Sequence, residues 1–118
     1  MIIKGERGKM TNNDKVPEIS QSEFKDFVSK GNVLIDFSAD WCMPCLMMAP
    51  VIDELSEKLK GKVKFGKINV EDNQDLAQKF RISSIPNFIL FKDGKIQEQF
   101  IGSMTSSEFE EKLKSFVK

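Results

Sequence analysis

An α/β fold, a central mixed sheet with helices on both faces, is expected on three observations. Strand-like and helix-like segments alternate along the chain. The run Val33-Leu34-Ile35-Asp36-Phe37 is apolar except for one aspartate and reads as a buried strand. Asp93-Gly94, between two strand-like runs, is the signature of a hairpin turn. Alternation calls for strands joined through helices, and the hairpin adds an antiparallel pair. The expected order is βαβαβαββα.

A short strand is expected around Val16 to Ile19. Ser20 and Glu23 then have capping-box spacing, and Phe24, Phe27 and Val28 recur at helical spacing until Gly31. Val33 to Ser38 is the buried strand. Ala49, Ile52, Leu55 and Leu59 predict a long helix ending near Gly61, bent by Pro50. Val63 to Val70 is another core strand. Asp72 or Asn73 caps a short helix with Leu76, Ala77 and Phe80. Asn87 to Phe91 and Ile96 to Ile101 flank the hairpin turn. Thr105 and Glu108 repeat the capping-box spacing and open a last helix with Phe109, Leu113, Phe116 and Val117 on one face.

A chain of 118 residues suits one domain with a hydrophobic core. That domain is expected over residues 16–118, with 1–15 as a flexible extension and Met10 as an alternative start. Eighteen basic and eighteen acidic residues cancel, which leaves no electrostatic argument for nucleic acid or an anionic membrane. The cluster Glu108 to Lys112 reads as a solvated helix face. No apolar run approaches the roughly 20 residues that span a bilayer. The N-terminus lacks the about 7–15 apolar residues of a signal peptide, so a cytoplasmic protein is expected. Histidine is absent, which excludes a histidine base or ligand.

The only two cysteines, Cys42 and Cys45, stand three positions apart in DWCMPCL. Three readings fit them. A structural disulfide closing so short a loop stabilises by on the order of 2 kcal/mol, a staple this domain does not need and a reducing cytoplasm would tend to break. A metal site would need ligands from a second chain, since zinc usually takes four Cys or His and this chain offers two sulfurs. The third reading, reversible dithiol–disulfide exchange, suits a Cys-x-x-Cys pair at the start of a helix beside a βαβ pattern. Cys42 would sit at the exposed helix end, where unpaired N–H groups and the dipole lower its pKa. Cys45, one turn on and further inside, could strike back at it. Pro44 fits the first turn because it has no N–H to leave unpaired.

DFSADWCMPC and the later SSIPNFILFKDG together resemble the thioredoxin family, and the resemblance covers residues 16–118. It implies a thioredoxin fold and a general protein-disulfide reductase recharged by a thioredoxin reductase; no cofactor is expected for thiol exchange, and a monomer is the default. By the same resemblance Cys42 is the nucleophile, Cys45 the resolving thiol, Asp36 the buried carboxylate behind them and Lys67 the lysine near that carboxylate. Burial independently predicts a raised pKa for Asp36 and a part in taking the Cys45 proton. Ile85-Pro86 matches the family's cis-proline segment, whose backbone pairs with an extended substrate. Gly102 matches a glycine that lets the partner come close. Trp41, Met43, Pro44, Ile85, Pro86 and Gly102 would then form a mostly apolar substrate surface, while Met104 is expected to pack in the ordinary way.

The sequence departs from the family at three places near the cysteines. Met43 stands where glycine is usual, Ser38 replaces an aromatic residue, and Leu46 replaces a frequent lysine. Loss of that positive charge should leave Cys42 slightly less acidic. Two other functions share these features: a thiol oxidase or isomerase with a higher potential, and a non-catalytic binding module.

Overall fold

The computed structural model describes residues 16–117. The expected extension over 1–15 lies outside them. Ser20 caps α1 (Gln21–Phe27), and Glu23 Oε1 returns to accept the Ser20 backbone N–H at 2.8 Å. β1 (Asn32–Ser38) follows, then α2 (Met43–Lys58), β2 (Lys64–Asn69), α3 (Gln74–Lys79), β3 (Asn87–Lys92), β4 (Lys95–Ile101) and α4 (Ser106–Phe116). At α4 both halves of the capping box form: Glu108 N–H donates to Thr105 Oγ1 at 3.1 Å, and Thr105 N–H donates to Glu108 Oε1 at 3.0 Å. α2 continues through Pro50, which supplies no N–H to the carbonyl of Leu46.

The expected strand at Val16 to Ile19 amounts to one parallel bridge, Glu18 opposite Lys67. Lys67 N–H donates to Pro17 O at 2.9 Å and Ile19 N–H donates to Lys67 O at 2.8 Å. Pairing cannot lengthen because Pro17 has no N–H to give and Ser20 already caps α1.

The four-stranded sheet has the order β2-β1-β3-β4. β1 runs parallel to β2 and antiparallel to β3, and β3 is antiparallel to β4. The hairpin turn places Asp93 at φ 50° and Gly94 at φ 85°, two successive left-handed residues of the kind a two-residue hairpin loop requires. β1 is central, and its side chains alternate between two cores. Leu34, Phe65, Phe88, Leu90 and Phe100 pack against Met48, Ile52 and Leu55 of α2 and Phe109 and Leu113 of α4. Val33, Ile35, Phe37, Ile68, Ile89 and Phe91 pack against Phe24 of α1 and Leu76 of α3. Met104 is half-buried against the first core, as expected. Period-two alternation puts Asp36 on the same face as Leu34, the face that α2 covers.

Sheet register gathers the loops at one end. Ser38, the last residue of β1, is level with Asn69 of β2, while Phe37 is level with Asn87 of β3, itself level with Ile101 of β4. The segments after β1, β2 and β4 and the segment before β3 therefore converge. At the opposite pole a cavity of about 710 Å³ opens beside Phe27, Gly31 and Gly61. There the C-terminal ends of α1 and α2 present carbonyls, and Lys30, Lys60, Lys62 and Lys64 line the opening, as the negative ends of two helix dipoles favour.

Candidate active site

The turn Ala39-Asp40-Trp41 leaves β1 and delivers Cys42 as the N-cap of α2, with Pro44 in the first turn. Cys42 and Cys45 are joined by a disulfide, with their Cα atoms 5.2 Å apart. Cys45 N–H donates to Cys42 Sγ at 3.2 Å, so the residue that caps the helix does so through its sulfur. The free N–H groups and the dipole of a sixteen-residue helix thus converge on Cys42.

The expected exposure of Cys42 is corrected. It is 3% exposed, less than Cys45 at 7%. In the disulfide state both sulfurs turn inward to a small cluster with Ala39, against which Val70 and Ile85 pack. A bonded sulfur carries no charge for water to solvate, so burying it is cheap.

Asp36 lies beneath the disulfide. It is buried, and its Oδ1 has no hydrogen-bond partner among the described residues. Burial pushes its carboxyl from 3.8 up to about 7, and the charge of Lys67 pulls in the opposite direction. Lys67 is level with Asp36 on the neighbouring strand and half-buried. Asp36, Lys67 and Cys45 line a cavity of about 40 Å³ together with Ser38 and Asn69. That is room for at least one water between carboxyl and sulfur.

The Ile85-Pro86 peptide bond is cis. Ile85 is half-buried against the cysteines, and the ring of Pro86 is buried rather than part of the outer surface expected of it. Pro86 O accepts the N–H of Gly102 at 2.9 Å, which fastens the loop after β4 to the segment before β3. Gly102 has φ +94°, a conformation that suits glycine. Trp41, Met43 and Pro44 are exposed beside them. The ten residues singled out in the sequence thus fall in one region.

The family model described as Thioredoxin matches residues 15–115. The chain belongs to the thioredoxin family. The thioredoxin of Rickettsia felis is 44% identical over 86 residues, 71% of this chain and 82% of that protein. The chloroplastic M-type thioredoxin of pea, Pisum sativum, is 36% identical over 106 residues, 88% of this chain and 62% of the pea protein. The crystal structure of mitochondrial thioredoxin 3 from Saccharomyces cerevisiae, in its oxidised form, superposes with a TM-score of 0.79 at 28% identity, covering 88% of this chain and 98% of that one. As a thioredoxin the chain is a disulfide oxidoreductase, and Cys42–Cys45 is the redox-active pair.

Several residues around the site gave no sign in the sequence that they belong to it. Trp41 Nε1 donates to Glu71 Oε2 at 2.5 Å, a contact between two loops. Asn69 Oδ1 accepts the N–H groups of Glu71 at 2.8 Å and Asp72 at 3.3 Å, shaping the turn that holds Glu71 in place. Asn73 donates to Asn69 O at 2.9 Å and accepts Gln21 N–H at 2.9 Å, tying that turn to α1. Asp72 or Asn73 was legible as the cap of a short helix, but the place of this segment beside Trp41 depends on strand order. Among the described residues no helix is long and apolar enough to cross a membrane.

Proposed function

We propose that Cys42 is the attacking sulfur, Cys45 the resolving sulfur and Asp36 the proton acceptor in the reduction of protein disulfides. The observation that carries this reading is the capping of α2 by Cys42 Sγ, with Cys45 N–H aimed at it. Once the pair is reduced, the same N–H and the helix dipole stabilise a thiolate on Cys42.

The Cys42 thiolate attacks one sulfur of a substrate disulfide. A Cys42–substrate bond forms, the substrate S–S bond breaks, and the departing thiolate takes a proton from water. Cys45 gives its proton to Asp36, directly or through a water in the cavity that both line. Its thiolate then attacks Cys42 Sγ and displaces the second substrate sulfur. That sulfur leaves as a thiolate and takes up the proton Asp36 received from Cys45. Two electrons and two protons, one from water and one from Cys45, have passed to the substrate, and the Cys42–Cys45 disulfide remains. Lys67 biases Asp36 toward the ionised form that accepts the proton.

Substrate would lie across Trp41, Met43 and Pro44, its backbone pairing with that of Ile85 before Pro86, where Gly102 leaves room. A thioredoxin reductase returns the disulfide to the dithiol. A reducing compartment, the cytoplasm in this reading, suits a cysteine pair that must cycle through thiols; the pea relative is chloroplastic, so fractionation of the native cell is the check on this point.

The decisive experiment is trapping. Cys45→Ser should accumulate a mixed disulfide between Cys42 and substrate, and Cys42→Ser should form none. Insulin reduction at the native rate by Cys42→Ser would overturn the assignment.

A further inference from the structure

The four described methionines are of two kinds. Met48 is 3% exposed, its sulfur within the core and in contact with the Met104 N–H at 3.5 Å, and Met104 packs half-buried on the same core. Met43 and Met47 are 64% and 68% exposed. Four residues apart on α2, they share one helix face, and Cys45 lies between them in sequence. A thioether is adaptable and apolar, which suits docking, yet its sulfur becomes polar once oxidised.

We propose that Met43 and Met47 form an oxidation site at which a hydroperoxide converts both thioethers to sulfoxides and so weakens the docking of protein disulfides. The peroxide O–O bond breaks and one oxygen bonds to sulfur. The other leaves as water when the oxidant is hydrogen peroxide. Two electrons pass from each sulfur to one peroxide, with no net change in protons. In the disulfide state seen here Cys42 and Cys45 offer no thiolate to compete for the oxidant, and both are buried. The device rests on the docking surface proposed above, which holds Met43, and extends it by one helical turn to Met47 on the same face of α2.

The test uses the full-length protein in its disulfide form. It is treated with hydrogen peroxide, the excess is destroyed with catalase, and sulfoxides are located by peptide mass spectrometry. Met43 and Met47 should oxidise at least about tenfold faster than Met48 and Met104. kcat/KM for insulin reduction should then fall about five-fold, while reduction of the Cys42–Cys45 disulfide by dithiothreitol, which needs little docking surface, keeps its rate. A Met43→Leu/Met47→Leu variant, compared with its own untreated sample, should lose nothing on treatment.

Equal oxidation of all four methionines would overturn the proposal. So would an unchanged kcat/KM with both sulfoxides in place, or an equal loss in the double variant. Failure of untreated native protein to reduce insulin would overturn the reductase reading itself, before any peroxide is added.

Discussion

The indole of Trp41 is held by Glu71: Nε1 donates to Oε2 at 2.5 Å, linking the turn before α2 to the turn after β2. Trp41 is otherwise an exposed ring next to the reacting sulfur. A charge-assisted hydrogen bond is shorter and stronger than a neutral one, and it fixes the ring at one angle. In Glu71→Ala the ring should turn freely. Acrylamide should quench Trp41 more readily, and kcat/KM for insulin should fall about three- to ten-fold, the effect of roughly 1 kcal/mol. Glu71→Gln, which keeps an acceptor, should recover most of the loss. Unaltered quenching in the alanine variant would show that the contact does not orient the ring.

Asp36 should make stability fall as pH rises. Its carboxyl is raised from 3.8 to about 7 on folding. Below 3.8 both folded and unfolded chains hold the proton, and there is no penalty. Between 3.8 and about 7 the unfolded chain releases it while the folded chain keeps it, so unfolding gains with each step in pH. Above about 7 the cost is complete, about 4 kcal/mol at 1.36 kcal/mol per unit. Asp36→Asn should therefore be more stable than the native protein at pH 8 and gain little at pH 4. Urea melts at the two values measure it. The same variant should release substrate slowly from the mixed disulfide, since no carboxylate is left to take the Cys45 proton.

Gly66 is demanded by packing. A Cβ there would meet Phe27 Cε2 at 2.6 Å and Ile35 Cδ1 at 3.3 Å, in the core on the α1 side of the sheet. Gly66→Ala must push the Phe27 ring aside and should destabilise by about 1–3 kcal/mol. Its activity per folded molecule should be unchanged, because a Cβ at Gly66 points to the Phe27 side of the sheet, the face opposite Asp36. A denaturant midpoint equal to that of the native protein would mean that Phe27 moves at no cost.

The reduction potential tests which way the disulfide works. Titration against glutathione, followed through Trp41, should give a value near about −270 mV, the range of thioredoxins. A value between about −120 and −180 mV would instead mark an oxidant or isomerase. Leu46 is exposed in the first turns of α2 and carries no charge. Leu46→Lys should stabilise the Cys42 thiolate and raise the potential by about 10 mV, some 0.5 kcal/mol at 30 mV per 1.4 kcal/mol.

Much of the fold was legible because its signals are local. Ser20 with Glu23 and Thr105 with Glu108 start helices where their spacing indicates, since a cap is made by residues three apart. Asp93-Gly94 makes its turn because few residue pairs tolerate two left-handed positions. Pro17 shows the limit of such reading. A strand-like run flanks it, yet one bridge is all that forms, because pairing also depends on the donors a neighbouring strand requires.

The chain's own order of residues determined the chemistry: a Cys-x-x-Cys pair, placed where a strand gives way to a helix, with an aspartate in that strand. These relations span a few positions and follow from the two periodicities of the backbone. Only the tertiary structure decided that Glu71 would hold Trp41, that Lys67 would stand level with Asp36, and that Cys42 would be buried beneath Ile85 and Val70 while Met47 stayed in water. Those relations join segments tens of residues apart, and strand order and register, products of burying two faces of one sheet at once, bring them together.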